Sequence, residues 1–436
     1  MRSIIKKLIC FVSVFLISVS VFLPFFALTA EAESGNADNA ESVFLYCIDN
    51  GITLYEKAAD ISFTPSAFAK MMTGLIACEQ LSDKLDEKVT VTANMLAGAS
   101  GDRMGIVVDE TMPLKDLLYG LLCCGYNDCA TALAVYISGN NESFVTLMNN
   151  RASELGMNST LYTTSTGSET ISARTTVRDI AKLAAACADD SLYVEISSTQ
   201  KYKLSATNKS DSVNIYNRNY LVSQYKEPKY YNAECRGLFA GETDKNKHSL
   251  ATYAKHGEMR YICVVANAKV TDSTVYSYTT ATELLKWAYK QYDYVDVVKT
   301  DTVICTLPVT MSDIIKQTDI YAESPVTMFI PAEDKDKIKT SFRLNYASLK
   351  APVKKGTAVG YLTVTYNTQT ETVRLVTSQD IEASTFLEAI NSISEFSQSR
   401  VFKAAMGCVI CLSVIAVFVD YKIHKRRTEY THLRRK

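Results

Sequence analysis

Ser66 and Lys70 stand four residues apart at the head of an apolar stretch, and side chains at i and i+4 share one face of a helix. A hydroxyl and an amine on one face are the raw material of nucleophilic catalysis, in which a base takes the proton of the attacking group. Other chemistries have less to draw on. The chain has four histidines. His424 and His432 belong to a basic C-terminal tail, and His248 and His256 fall in no metal-ligand or nucleophile motif. The composition therefore argues against a Ser-His-Asp triad and against a zinc site built on histidines. Neither a metal nor an organic cofactor is expected. Of twelve cysteines, Cys10, Cys408 and Cys411 lie in apolar terminal segments. The others are odd in number and have apolar neighbours, as in Ile76-Ala77-Cys78 and Ile262-Cys263-Val264, so they read as small buried hydrophobes rather than disulfide partners.

The elements that must hold these groups follow from the pattern. Residues 67–81 are apolar nearly all round, which predicts a helix buried on every side. Residues 43–48 read as a strand, with Asp49-Asn50-Gly51 turning it into a hairpin. Helices are expected over 114–137, 143–155, 176–188 and 280–292, and a buried strand over 261–268. Mixed helices and antiparallel strand signals give an α+β domain, residues 41–295, around one large core. After Val295 the texture changes to strand-like runs at 302–308, 319–330, 340–344, 358–366 and 371–377, a small all-β domain over 296–378. Phe386, Leu387, Ile390, Ile393 and Phe396 then recur at helical spacing, an amphipathic juxtamembrane helix within 379–400.

The ends give an address. Arg2, Lys6 and Lys7 precede an uncharged apolar run ending at Ala30-Glu31-Ala32, which reads as a signal peptide over 1–32. A second apolar run, 401–419, is long enough to cross a bilayer, and the tail 420–436 carries seven Lys/Arg against one Glu after Asp420. The positive-inside rule puts that tail in the cytoplasm and the domains outside. The formal net charge of −1 draws much of its positive part from the two ends, so no basic face suggests nucleic acid as a partner.

The segment Thr64-Pro65-Ser66-Ala67-Phe68-Ala69-Lys70-Met71-Met72-Thr73 resembles the first motif of the D-alanyl-D-alanine carboxypeptidases among the penicillin-binding proteins, Pro-Ala-Ser-x-x-Lys-x-Met-Thr. Gly125-Tyr126-Asn127-Asp128 stands where that family has Ser-x-Asn-Asp, and Gly237-Leu238-Phe239-Ala240-Gly241-Glu242-Thr243 where it has Gly-Leu-Lys-Thr-Gly-x-Thr. Residues 144–157, Thr175-Thr176-Val177-Arg178-Asp179, Asn217-Arg218-Asn219-Tyr220-Leu221 and Ala351-Pro352-Val353-Lys354-Lys355-Gly356 extend the resemblance over about 41–400. It implies a β-lactamase/transpeptidase-like domain, an antiparallel sheet flanked by helices with a buried central helix, then the β domain.

The resemblance also implies which residues are missing. Counted from Lys70, the nucleophile position is Ala67; counted from Asn127, the second serine position is Gly125; Lys-Thr of the third motif is Phe239-Ala240. Lys70, Asn127 and Gly241 remain, with Thr243. A methyl group cannot attack a carbonyl, glycine relays no proton, and Phe239-Ala240 cannot hold a substrate carboxylate. Loss of the nucleophile alone costs on the order of 10⁶ in rate. The expectation is a membrane-anchored, carboxypeptidase-like protein of peptidoglycan metabolism without serine acyl-enzyme chemistry, whose partner is peptidoglycan or a cell-wall or divisome-type protein. The alternative is an active D,D-carboxypeptidase using Ser66 and Lys70 in a shifted register. It has an obstacle, because one residue of helix turns a side chain by about 100°.

Overall fold

The computed structural model describes residues 37–168, 172–244, 246–367 and 369–433. The expected signal peptide lies outside them. The chain divides into two compact units, Met1–Tyr292 and Asp293–Lys436.

In the first unit, β1 (Ser42–Cys47) and β2 (Ile52–Lys57) form the expected hairpin. They join β3 (Cys235–Asp244), β4 (Lys247–His256) and β5 (Met259–Lys269) in an antiparallel sheet of order β2-β1-β5-β4-β3. Residues 261–266 of β5 are buried without alternation, so both sheet faces are covered. Ile262, Val264 and Ala266 share the main core with helix α1 (Ala69–Leu81), which is buried along nearly its whole length. The hydroxyl of Thr73 on α1 donates to the Ser165 carbonyl at 2.7 Å, tying that helix to the loop beside it.

The single helix expected over 114–137 is two, α2 (Leu114–Cys124) and α3 (Asn127–Ser138). Gly125 sits at φ 72, and its N–H donates to the Leu121 carbonyl at 2.8 Å. A left-handed glycine ends a helix without the steric cost that a Cβ would carry. Helices α4 (Asn141–Glu154), α5 (Val177–Asp189) and α7 (Tyr276–Gln291) fall where helices are expected, and α6 (Ser191–Ser198) is a short helix not among them. Asn140 caps α4, Thr176 caps α5 and Asp190 caps α6, each accepting a backbone N–H three residues on. The residues Cys47, Cys78, Cys123, Cys124, Cys129, Cys187, Cys235 and Cys263 are buried free thiols, in keeping with their apolar neighbours.

In the second unit, a six-stranded sheet packs around Ile320, Val359, Val364 and Leu375. Its strands, among β6 (Tyr292–Val298), β7 (Val303–Thr310), β8 (Gln317–Ala322), β9 (Val326–Pro331), β10 (Lys339–Leu344), β11 (Leu349–Lys350), β12 (Ala358–Tyr366) and β13 (Gln369–Thr377), run in the order β10-β12-β13-β8-β7-β11. β6 pairs separately with β9. The run expected as one strand over 319–330 is divided between β8 and β9 at Pro325, which cannot donate to a ladder. Helix α8 (Thr385–Gln398) leaves Phe386 and Ile393 largely exposed. Helix α9 (Arg400–Leu433) contains a stretch, Arg400–Lys425, of mean hydropathy 2.4, long and apolar enough to cross a membrane.

Candidate functional site

The three degenerate motifs converge on one cleft of about 640 Å³, with Ala67 and Lys70 from the α1 segment, Gly125 and Asn127 from the α2–α3 turn, and 239–242 from edge strand β3. The chain enters α1 through a 3₁₀ turn, Ser66–Phe68, closed by the Phe68 N–H on the Pro65 carbonyl at 2.9 Å. Ser66 sits at φ 42, a region that non-glycine residues rarely occupy. Its carbonyl lies so close to Gly167 that a Cβ there would stand 1.8 Å away.

This geometry separates Ser66 from Lys70. Ser66 borders a different, small cleft with Thr64, Tyr162 and Ser168, while Ala67 and Lys70 line the main one. The shared helix face expected from the i,i+4 spacing is absent because the first turn is 3₁₀ and begins at a left-handed residue.

Where the motifs would bring polar groups together, the cleft has an apolar floor. Ala67 is 5% exposed and Phe239 is 4% exposed. A Cβ on Gly241 would meet the Ala67 Cβ at 3.0 Å, and a Cβ on Gly125 would meet Phe239 Cζ at 3.4 Å. Ala240 lies on the same strand and borders the cleft. Thr243 does not line it; its hydroxyl bonds Asn267 Oδ1 at 2.9 Å, bracing β3 to β5.

Two polar groups survive at the floor. Lys70 has no hydrogen bond or ion pair with a described residue, and burial pushes its ammonium down to about 8. The amide of Asn127 donates to the Ser100 carbonyl at 2.5 Å, while its Oδ1 is buried with no partner among the described residues. Asp128 beside it has a structural role. Its carboxylate accepts the backbone N–H groups of Met104, Gly105, Ile106 and Cys129 and pins the segment that follows Asp102, the one residue of that loop bordering the cleft. Cys124, also in the cleft, is pushed up to about 11 by burial, so it stays a thiol at neutral pH.

The opposite wall was not expected as part of the site. Arg218 pairs with Asp102 and lies 5.0 Å over the Tyr126 ring. Lys229 lies 3.3 Å from Glu227 and 4.9 Å over Tyr230. The signal that pointed there was Asn217-Arg218-Asn219-Tyr220: Asn217 bonds the carbonyls of Ser197 and Thr199 and sets the turn that delivers Arg218 and Tyr220. His248 is buried, with Nδ1 2.7 Å from Ser277 Oγ, and burial lowers it to about 4, so it is neutral above that pH. Among the described residues no cluster of His, Cys, Asp and Glu is built to hold a metal.

The sequence matches the family model of D-alanyl-D-alanine carboxypeptidase over residues 29–270 and that of the penicillin-binding protein 5 C-terminal domain over 292–383. It is 29% identical over 380 residues to the D-alanyl-D-alanine carboxypeptidase DacC of Escherichia coli, covering 84% of this chain and 91% of that one. It is 27% identical over 331 residues to DacF of Bacillus subtilis, covering 75% and 81%. In fold it is similar to DacD of Francisella tularensis (TM-score 0.59, 20% identity, 83% of this chain and 97% of that one). It is likewise similar to penicillin-binding protein 5 of Haemophilus influenzae (TM-score 0.56, 23% identity, 79% and 98%). With more than half its length matched by one family model and residues 292–383 by that of the penicillin-binding protein 5 C-terminal domain, this chain belongs to the D-alanyl-D-alanine carboxypeptidase family.

Proposed function

We propose that this protein is an exported, membrane-anchored pseudoenzyme of its family, serving cell-wall assembly or remodelling through non-covalent contacts with peptidoglycan or a wall protein. One observation carries the reading: the residue lining the cleft one turn before Lys70 is Ala67, with Gly241 packed against it and Phe239 beside Gly241. A methyl cannot form an acyl-enzyme, and the missing nucleophile alone is worth on the order of 10⁶ in rate. Gly125 and Phe239-Ala240 remove the proton relay and the carboxylate clamp as well.

The competing reading, an active carboxypeptidase using Ser66, is disfavoured by the position of Ser66 on a separate cleft. Anchoring is supported by α9, whose apolar stretch leads into the basic tail. Labelling with a fluorescent penicillin, alongside co-sedimentation with isolated peptidoglycan, tests the proposal. It expects sedimentation without labelling; labelling, or failure to sediment with peptidoglycan and to capture any wall protein, contradicts it. A reporter fused after Lys436 is expected to read as cytoplasmic.

A further inference from the structure

The end of the second unit from which α8 departs is built from three segments. The turn between β7 and β8, residues 311–316, is joined to the start of α8 by the Ser384 N–H on the Met311 carbonyl at 2.8 Å. The segment after β11 is joined to both: the Ala351 N–H donates to the Thr310 carbonyl at 2.9 Å, and Val353 and Ile381 exchange backbone bonds of 2.9 and 2.8 Å. The turn itself is fixed. Met311 sits at φ 66, the Ile315 N–H donates to Ser312 Oγ at 3.3 Å, and the Lys316 amine donates to the Ser312 carbonyl at 2.7 Å. Met311 and Ile315 pack against the core of the unit, whereas Ile314 is 85% exposed, more than any other large apolar side chain among the described residues. A lone exposed isoleucine needs no explanation, but this one is tied to a helix with the same need. Phe386, Ile390, Ile393 and Phe396 recur at helical spacing on α8 and are all exposed. Ser399 alone separates α8 from α9, and the Phe396 ring lies 5.5 Å from that of Phe402 on α9. The exposed apolar residues therefore lead from the span back to the turn that Ser384 holds.

A helix of 14 residues is about 21 Å long. Lying along a membrane surface with its apolar face down, it keeps its first residue at the depth of its last. The Ser384–Met311 bond then brings the 311–316 turn to that depth as well. The charges at this end decide which lipid contact forms. Lys316, Lys354 and Lys355 are exposed, and so are Asp313, Asp380 and Glu382, so the three segments carry no net charge. Apolar insertion, not attraction to anionic headgroups, is what this end can offer. We propose that the 311–316 turn is a membrane contact of the β unit itself: Ile314 enters the boundary between headgroups and acyl chains, and the unit is seated on the bilayer instead of hanging from one span. The proposal rests on the anchoring by α9 and adds a contact that the anchor does not require.

The experiment is fluorescence quenching of the full chain in phosphatidylcholine nanodiscs. Trp287→Phe removes the one native tryptophan, and Ile314→Trp places a single reporter at the turn. Because Ile314 is exposed, that change leaves the fold intact, which thermal melting by circular dichroism checks. A parallel chain with Tyr361→Trp, on the exposed side of β12 in the same unit, carries the same probe away from the turn. The Ile314→Trp chain is expected to emit at shorter wavelength and to lose emission to brominated lipids. The loss should be greater when the bromines sit high on the acyl chain than when they sit near its end. Raised salt should leave the loss unchanged, and the Tyr361→Trp chain should keep its emission. No quenching at position 314, equal quenching at both positions, or quenching that needs anionic lipid or low salt overturns the proposal. A blue shift without quenching overturns it too, since a second copy or another protein then covers the turn. A chain that washes out of the discs overturns the anchor and this contact with it. Failure of the pseudoenzyme reading is a separate result, a covalent β-lactam adduct seen by mass, and does not depend on where the turn lies.

Discussion

The ring of Phe239 ends 3.4 Å from where a Cβ on Gly125 would stand, so two lost motif positions are in contact with each other. The same ring lies 3.7 Å from a Cβ built on Gly241, which in turn would crowd Ala67. Substitutions that look independent along the chain thus form one apolar cluster. A side chain restored at Gly125 would meet the Phe239 ring.

Contact between Gly125 and Phe239 predicts coupling. Gly125→Ser forces a Cβ into a left-handed conformation, costing about 1 kcal/mol, and presses on the ring as well. In a Phe239→Ala background only the conformational part should remain. A double-mutant cycle from urea titrations, followed by the fluorescence of Trp287, the single tryptophan, reads the difference. Strict additivity would show that the ring gives way freely.

Restoring the nucleophile alone should not restore the enzyme. Ala67→Ser is expected to leave carboxypeptidase activity near background. Recovery should require serine at 67 and 125 together with Lys-Thr at 239 and 240, because these groups act as one unit. Release of D-alanine from a synthetic pentapeptide measures it. Near-full activity from Ala67→Ser would mean that the relay and clamp positions matter little.

Much of this was legible in the sequence, and for physical reasons. The buried helix announced itself because residues 69–78 are apolar on every face, and β5 because Ile262 to Ala266 is an unbroken apolar run. Motif spacing was enough to bring Ala67, Lys70, Gly125, Asn127 and 239–241 to one cleft. Two things were not legible. The direction of Ser66 depends on its φ of 42 and on Gly167, a residue a hundred positions away that leaves room for the Ser66 carbonyl. The Arg218–Tyr220 wall depends on hydrogen bonds of Asn217 to distant carbonyls, which no local periodicity encodes.

Lys70 predicts a pH signature. Its folded pKa, about 8, lies below the unfolded value of 10.5, so between these pH values the unfolded chain binds more protons and stability rises with pH. Below about 8 the buried charge is a full penalty. Lys70→Met removes it, and the variant should be more stable by about 2 kcal/mol at pH 7, allowing for solvent in the cleft. That advantage should shrink as pH rises from 8 toward 10.5. Denaturant titrations across this range check it; a constant difference would mean that the amine is solvated.

Asp128 should prove structural and costly to change. Asp128→Asn turns an amide donor toward the four N–H groups the carboxylate now accepts, and a loss of about 3 kcal/mol is expected. The same Trp287 titration measures it. A neutral effect would mean that the 102–106 loop is held by other contacts.

The most direct measurement of the central claim is the intact mass of the protein after prolonged incubation with a β-lactam. With Ala67 facing the cleft and Ser66 turned to another, the account predicts an unchanged mass. A mass increase of one opened β-lactam, mapped by peptide fragmentation to Ser66, would contradict it.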